Sequence, residues 1–163
     1  MPLIRPLAAA ALATLAGGCG GDSPCGATEA TVTRIVDGDT IELDDGRKIR
    51  YLLVDTPEST GGATDCYGQN AKDFNTDLVM GKQISLVYDT ASCMDRFGRT
   101  LAYVYVGNQE VNSLMVERGY ACVLHIPPAG DDRVEEFEAL QLDAERSMRG
   151  LWGICDPLPP ACE

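Results

Sequence analysis

The stretch TVTRIVDGDTIELDDGRKIRYLLVDTPE, residues 31–58, decides the fold that the sequence predicts. TVTRIV is rich in β-branched residues and alternates in polarity, TIEL follows a turn at Gly38, and DDGR is a strong hairpin signal before KIRYLLV. These three runs, separated by short turns, predict a three-stranded meander over residues 29–54.

Strand and helix patterns continue downstream of the meander. Apolar residues at helical spacing predict a helix that ends at Gly81, and QISLVY and RTLAYVYV predict two more strands. A short helix that stops at Gly119 follows. A longer helix then begins at Asp132, where Glu135 would complete a capping box, and ends before Gly150. Five strands and three helices favour the α+β class, with a five-stranded β-barrel of the OB type.

The N-terminus has the pattern of an export signal. Residues 1–18 carry an early Arg5, an apolar run and small residues directly before Cys19, which predicts a signal peptide rather than a membrane-spanning helix. Small residues before a cysteine resemble the bacterial lipoprotein signal, in which Cys19 would carry the lipid. We therefore expect a protein tethered by lipid to a membrane of the bacterial cell envelope, with plain secretion as the alternative.

The remaining chain divides into three parts by composition. Residues 19–29 are rich in Gly, Ser and Pro and predict a flexible tether. Residues 30–154 hold the predicted strands and helices and form the folded domain. Residues 155–163, CDPLPPACE, predict a tail rich in cysteine and proline.

Charge and cysteine content constrain the function. The chain has 25 acidic and 13 basic residues, a formal net charge of −12. Such a surface repels polyanions at long range, so nucleic acid is not expected from charge alone. Seven cysteines leave six once Cys19 is set aside. An even set in an exported chain predicts up to three disulfides, with the pairing left open, and one histidine without a CxxC motif makes zinc the weaker alternative.

Carboxylates stand at the turns of the meander. Asp39 follows the Gly38 turn and Asp55 ends the third strand, so both could face one ion. Thr56 adds a backbone carbonyl. Oxygen ligands without His or Cys select Ca²⁺ or Mg²⁺ over zinc, so this region predicts a site for a hard divalent cation.

A base and two arginines accompany these carboxylates. Glu58 lies three residues beyond Asp55, close enough to hold a water, and Arg50 and Arg99 could stabilise charge on a phosphate. A divalent ion, a base and two arginines are what phosphodiester hydrolysis needs. Two objections remain open. Asp-Gly-Asp and Asp-Thr-Pro are also ordinary turn sequences, and an odd spacing puts Arg50 and Asp55 on opposite faces of an ideal strand.

The sequence resembles the staphylococcal nuclease family. VDGDTIEL, IRYLLVDTPE, YGQNA, DRFGRTLAYVYV, VNSLMVERGYA and RGLW follow one another in the order and near the spacing of that family, over about residues 30–152. The resemblance implies an OB-type barrel with three helices. It also implies cleavage of DNA and RNA with Ca²⁺, leaving 3′-phosphate ends.

The resemblance assigns a role to seven residues. They are Asp39 and Asp55 as Ca²⁺ ligands through their carboxylates, Thr56 as a ligand through its carbonyl, Glu58 as the general base, Arg50 and Arg99 as phosphate-binding catalytic residues, and Asp37 as an outer-shell acidic residue. In the family fold the strand that carries Arg50 is strongly bent, which would answer the objection about its face.

The same resemblance suggests positions for the cysteines. Loops that border the site would carry Cys66 and Cys93, the end of the last helix would approach Cys122, and the termini would meet. The implied disulfides are Cys66–Cys93, Cys122–Cys155 and Cys25–Cys162.

A calcium-dependent nuclease, exported and monomeric, is the function that these features favour together. The alternative is a binding module of the same fold that recognises nucleic acid or another ligand without cutting it. Retention of Asp39, Arg50, Asp55, Glu58 and Arg99 favours the enzyme.

Overall fold

The computed structural model describes residues 23–61 and 64–163. Within these residues no helix has both the length and the apolar character needed to cross a membrane. The predicted signal peptide and the predicted lipidation site, Cys19, lie outside the described residues.

The barrel is built from five strands in one mixed sheet. The strands are β1 Glu29–Asp37, β2 Thr40–Leu43, β3 Lys48–Tyr51, β4 Gln83–Val87 and β5 Thr100–Val106, with the two-residue β6 Gln109–Glu110 as an extension of the edge. The strand order is β3-β2-β1-β4-β5-β6, and a parallel pairing of β3 with β5 closes the sheet on itself. The predicted meander and the closed OB-type barrel are both confirmed.

Three main helices pack around the barrel, as predicted. They are α1 Gly68–Val79, α2 Val111–Glu117 and α3 Val134–Arg146, followed by a single turn α4 Leu151–Ile154 and a 3₁₀ turn Pro160–Cys162. The predicted capping box of α3 does not form. The helix begins after Arg133, and no side chain caps it.

The core fills the barrel and continues beneath α2 and α3. Its largest buried side chains include Ile41, Ile49, Tyr51, Ile84, Met115 and Phe137. A buried polar residue, Asn112 of α2, ties these layers together. Its amide donates to the carbonyls of Leu52 and Ala102 at 2.9 and 3.1 Å, and its Oδ1 accepts from the Val104 amide at 2.9 Å. The end of β3 is thereby fixed against β5.

The disulfide pairing differs from the implied one in all three bonds. The structure contains Cys25–Cys93, Cys66–Cys155 and Cys122–Cys162, with Cα–Cα distances of 5.1, 5.9 and 5.4 Å. The implied bonds Cys66–Cys93, Cys122–Cys155 and Cys25–Cys162 are therefore wrong.

The path of both termini explains the difference. Residues 27 and 28 bind along the barrel, where the carbonyl of Thr28 accepts from the Leu86 amide at 2.7 Å, so Cys25 reaches the loop of Cys93 instead of the C-terminus. At the other end, α4 brings Cys155 to the turn before α1. The tail then continues far enough to return Cys162 to Cys122.

Candidate functional site

Three of the predicted residues form one ion cluster, in which Asp39 and Arg50 are buried and Asp55 is partly exposed. Nη2 of Arg50 lies 2.6 Å from Oδ1 of Asp55 and 3.3 Å from Oδ2 of Asp39. Nη1 of the same guanidinium donates to the carbonyls of Tyr51, at 3.0 Å, and Val54. Because both carboxylates approach the same nitrogen, Asp39 and Asp55 are close neighbours, as the sequence predicted.

A turn at the end of β3 brings Arg50 and Asp55 together. The strand stops at Tyr51, and Leu53 adopts a left-handed conformation with φ of 58° although it is not glycine. The side chain of Leu53 is buried and packs against Gly130. A Cβ added to Gly130 would lie only 2.7 Å from Cδ2 of Leu53. Asp55 lies beyond this turn and is not part of the strand that carries Arg50. The odd spacing of the two residues therefore does not place their side chains on opposite faces of one strand.

Asp39 is held rigidly by its neighbours. Its Oδ2 accepts from the amide and the hydroxyl of Thr56, at 3.0 and 3.1 Å, and its Oδ1 accepts from the hydroxyl of Thr40 at 2.9 Å. Gly38 permits this contact, since a Cβ there would lie 2.7 Å from Oγ1 of Thr56. Thr56 therefore supports Asp39 directly, while its predicted role as a carbonyl ligand stays a prediction.

The charge balance of this cluster fits a hard cation. Burial, with a smaller contribution from the nearby carboxylates of Asp39 and Glu58, raises the pKa of Asp55 to about 6 against the opposing effect of Arg50. A divalent ion would stabilise the ionised form of Asp55, which its surroundings disfavour. Among the described residues there is no cluster of three or more His, Cys, Asp or Glu side chains that could hold a metal. A cation at this position would therefore need backbone carbonyls and water as further ligands.

Glu58 lies beside the cluster, next to Asp37. The hydroxyl of Thr60 donates to Oε2 of Glu58 at 3.3 Å, and the hydroxyl of Ser59 donates to Oδ1 of Asp37 at 2.6 Å. Partial burial, and then repulsion from Asp37, raises the pKa of Glu58 above its usual range. A carboxylate with a raised pKa is a better proton acceptor near neutral pH.

Arg99 approaches the cluster from the opposite loop. Asp95 binds it through a 2.7 Å ion pair to Nε and also accepts from the amides of Phe97 and Arg99, at 2.8 and 3.0 Å. Nη1 of Arg99 reaches the hydroxyl of Thr40 at 3.5 Å. Asp95 was missed by the sequence reasoning, although the opposite charges four residues apart around a glycine turn in DRFGR could have identified the pair.

Six of the seven predicted site residues, all except Thr56, line one cavity of about 980 Å³. Its lining includes Asp37, Asp39, Arg50, Asp55, Glu58 and Arg99. Asp39 and Arg50 are 7% and 8% exposed, so they lie deep in the cavity, while Glu58 is exposed to solvent. The cavity can receive an anionic group between buried cationic and acidic side chains.

Together the fold and the cavity define an OB-type barrel protein with a candidate site for a cation and a phosphate group. Comparison with models of known families matches residues 48–153 to the family described as "Staphylococcal nuclease homologue". The matched region contains β3, Arg50 and Asp55 of the cluster and all three main helices, and Asp39 precedes it. The chain belongs to the staphylococcal nuclease family.

Relatives that are named as nucleases agree with this membership. An "Uncharacterized endonuclease" of Escherichia coli O157:H7 is 37% identical over 140 residues, which cover 83% of this chain and 84% of the relative. A "Thermonuclease" of Staphylococcus intermedius is 34% identical over 126 residues, 74% of each chain. "Endonuclease YncB" of Bacillus subtilis is 33% identical over 127 residues, 75% of this chain. The chain spans only 44% to 60% of the length of three Bacillus relatives that it matches.

Proposed function

We propose that the protein is a nuclease that hydrolyses phosphodiester bonds of DNA, RNA or both, with Ca²⁺ as cofactor, and leaves 3′-phosphate ends. The observation that carries this proposal is the convergence of Asp39, Arg50 and Asp55 in one cavity that Glu58 and Arg99 also line. The names of the relatives, thermonuclease and endonuclease, support the same activity.

The cation would be held by the carboxylates of Asp39 and Asp55 and by the carbonyl of Thr56. When bound, it would neutralise charge on a phosphoryl oxygen as a Lewis acid. Burial, and to a smaller extent repulsion from Asp39, raises the pKa of Asp55, so a bound cation would stabilise its ionised form.

The protein side chains would act on the phosphate and on the water. Arg50 and Arg99 donate hydrogen bonds to the non-bridging phosphate oxygens and stabilise the charge that develops there. Glu58 accepts a proton from the attacking water, and its raised pKa suits this role. Asp95 holds the Arg99 side chain through Nε, while Nη1 reaches the hydroxyl of Thr40, which also lines the cavity.

Because the protein is acidic, a bound cation would also help to attract the nucleic acid substrate. With a formal net charge of −12 the protein repels a polyanion, so the cation and the two arginines must provide the local attraction. We therefore propose that binding depends more on this site than on a broad basic surface.

The proposal also covers the location, lipidation and oligomeric state of the enzyme. Export through the signal peptide, a lipid on Cys19 and a monomeric state are inferred from the sequence pattern. Mass spectrometry of the N-terminal peptide would detect a lipidated Cys19 or an unmodified cleaved end.

One cleavage assay tests the activity. The full chain is incubated with single-stranded DNA and with RNA, in Ca²⁺ or in EGTA, beside Glu58→Gln and Arg99→Ala. Glu138→Gln, on the exposed face of α3, is the matched control. We expect cleavage only with Ca²⁺, full activity of the control and a loss of about a hundredfold or more for both site variants. Cleavage that survives EGTA or both substitutions would overturn the proposal, and binding without cleavage would favour the ligand-binding module.

A further inference from the structure

Each of the three disulfides is attached to a segment that carries part of the site. The first such segment is the loop of Arg99. Cys93 pairs with Cys25, and its carbonyl accepts from the Leu101 amide at 3.0 Å across the loop. Within that loop the Asp95 amide donates to the carbonyl of Arg99 at 2.9 Å. The disulfide therefore joins the base of the Arg99 loop to the N-terminal segment bound along the barrel.

The second segment carries Glu58. Its amide donates to Oδ2 of Asp65 at 3.2 Å, and the Asp65 amide donates back to the carbonyl of Glu58 at 2.9 Å. Cys66 follows Asp65 directly and is bonded to Cys155 after α4. The loop that begins at Glu58 is thus closed by two hydrogen bonds and anchored by one disulfide.

The third segment carries Asp55. Its amide and carbonyl exchange two hydrogen bonds of 2.8 Å with the backbone of Cys122. Cys122 is bonded to Cys162 in the final turn of the chain. The position of the Asp55 backbone therefore depends on a residue that a disulfide holds.

The six cysteines avoid the barrel itself. None of them lies in β1–β6, α1, α2 or α3, which supply most of the main core. The connecting segments add Leu52, Leu53, Val54, Ala121 and Ala129 to it. The barrel can therefore bury its core without these bonds, whereas the three site segments are loops whose order costs conformational entropy.

We propose that the disulfides form a redox lock on the site: the reduced chain folds its barrel but holds Asp55, Glu58 and Arg99 too loosely to act. This inference rests on the proposed nuclease function. A small displacement of a positioning group can cost about a hundredfold in rate, so loosening three segments at once is enough to lower the activity strongly. A chain kept reduced before export would then be inactive, and oxidation would activate it.

The activating chemistry is thiol–disulfide exchange with a disulfide-bearing oxidant. One cysteine thiolate attacks a sulfur of the donor disulfide, forms a mixed disulfide and releases the other donor sulfur as a thiolate. The second cysteine thiolate then displaces the donor sulfur and forms the protein disulfide. For each bond the two cysteines lose two electrons and two protons, and the donor leaves as two thiols.

The test compares oxidised protein with protein reduced by dithiothreitol without denaturant. Cleavage of a single-stranded oligonucleotide in Ca²⁺ is measured beside far-UV circular dichroism, and activity is measured again after reoxidation with oxidised glutathione. We expect an unchanged spectrum, a fall in kcat/KM of about tenfold to a hundredfold, and recovery on reoxidation. Full activity of the reduced protein, or global unfolding on reduction, would overturn the lock.

Amide hydrogen exchange separates this inference from the nuclease proposal. Reduction should accelerate exchange in residues 55–66 and 93–101 and leave β1 and β4 protected. If the oxidised protein cleaves no nucleic acid, the proposed nuclease function is refuted. The exchange data still test whether the disulfides order the site segments. Unchanged exchange in the two site segments would refute the lock.

Paired serine substitutions assign each bond to its segment. Removing Cys122–Cys162 should weaken Ca²⁺ binding in calorimetry, because Asp55 is a proposed ligand. Removing Cys66–Cys155 should lower kcat with Ca²⁺ affinity retained, because Glu58 acts on the water. Equal loss of both quantities in the two pairs would indicate a merely structural role and contradict the lock.

Discussion

Replacing Asp55 by Asn should stabilise the cation-free protein at neutral pH. The pKa of Asp55 is raised from 3.8 to about 6, because burial outweighs the attraction of Arg50 and because Asp39 and Glu58 repel its charge. The folded state therefore holds the proton on Asp55 more tightly than the unfolded chain does. The resulting stabilisation is complete below pH 3.8 and is lost as the pH rises through about 6.

The size of the effect follows from the pKa difference. A difference of about 2 pH units corresponds to about 3 kcal/mol at 1.36 kcal/mol for each unit. The side chain is 29% exposed, so solvent screening reduces the gain, and we expect about 1–3 kcal/mol at pH 7. Asn keeps an oxygen that can accept the hydrogen bond from Arg50, which makes it a close mimic of the protonated carboxyl group.

Urea unfolding in EGTA at pH 7 and at pH 3.5 measures this gain. The Asp55→Asn variant should be more stable than the wild type at pH 7 and equal to it at the lower pH. Asp39→Asn is the control. It should lose about 1–3 kcal/mol, because the Asp39 carboxylate accepts hydrogen bonds from three donors on Thr40 and Thr56. Ca²⁺ should stabilise the wild type and neither variant. Equal or lower stability of Asp55→Asn than of the wild type at pH 7 would refute the conclusion that ionised Asp55 destabilises the cation-free fold.

Three further predictions concern other parts of the protein. Asp95→Ala should lower kcat/KM by about tenfold, because Arg99 loses its ion pair, with little change in Ca²⁺ affinity by calorimetry. Gly119→Ala should cost more than about 2 kcal/mol in urea unfolding, because φ is 72° and a Cβ would lie 2.2 Å from the Arg149 carbonyl oxygen. Gly46→Ala, at φ of 86° with open space around it, should cost only about 1 kcal/mol. The cleavage rate should rise as salt increases from very low ionic strength to about 0.1 M, because salt screens the repulsion between acidic protein and substrate.

A specific experimental result would contradict each of these predictions. An Asp95→Ala variant with wild-type kinetics would mean that Arg99 needs no support. Equal losses for the two glycine variants would exclude close backbone approach as the cause at Gly119. A steep fall in binding with added salt would point to a basic substrate-binding surface.

The barrel was predictable because its strands carry local signals. Alternating β-branched runs and glycine turns mark β1, β2 and β3 without any knowledge of their partners, and helical spacing marks α1. The acidic and arginine residues of the site were identified by residue type and order. The contact of Arg50 with both Asp39 and Asp55 could not be predicted from the alternation of side chains along a strand. It depends on the turn at Leu53, which adopts a left-handed conformation. No residue type in YLLV signals that turn.

The disulfide pairing lay beyond sequence reasoning for a different reason. It depends on where long, irregular segments run after the barrel is formed. The single turn α4 follows Gly150, whose backbone lies so close to Gly119 that neither residue tolerates a Cβ. That contact directs the tail past Cys66 and back to Cys122. Such a path is set by tertiary packing and leaves no periodic pattern in the chain.

Hydrolysis in ¹⁸O-labelled water tests the central claim, that this cavity cleaves phosphodiester bonds by water attack with the 5′-oxygen leaving. A defined oligonucleotide is cut in Ca²⁺, and the product masses are measured, with the Glu58→Gln variant alongside. The account predicts 3′-phosphate ends that carry ¹⁸O, 5′-hydroxyl ends, and almost no product from the variant. Products with 5′-phosphate ends, or equal yields from wild type and variant, would contradict it.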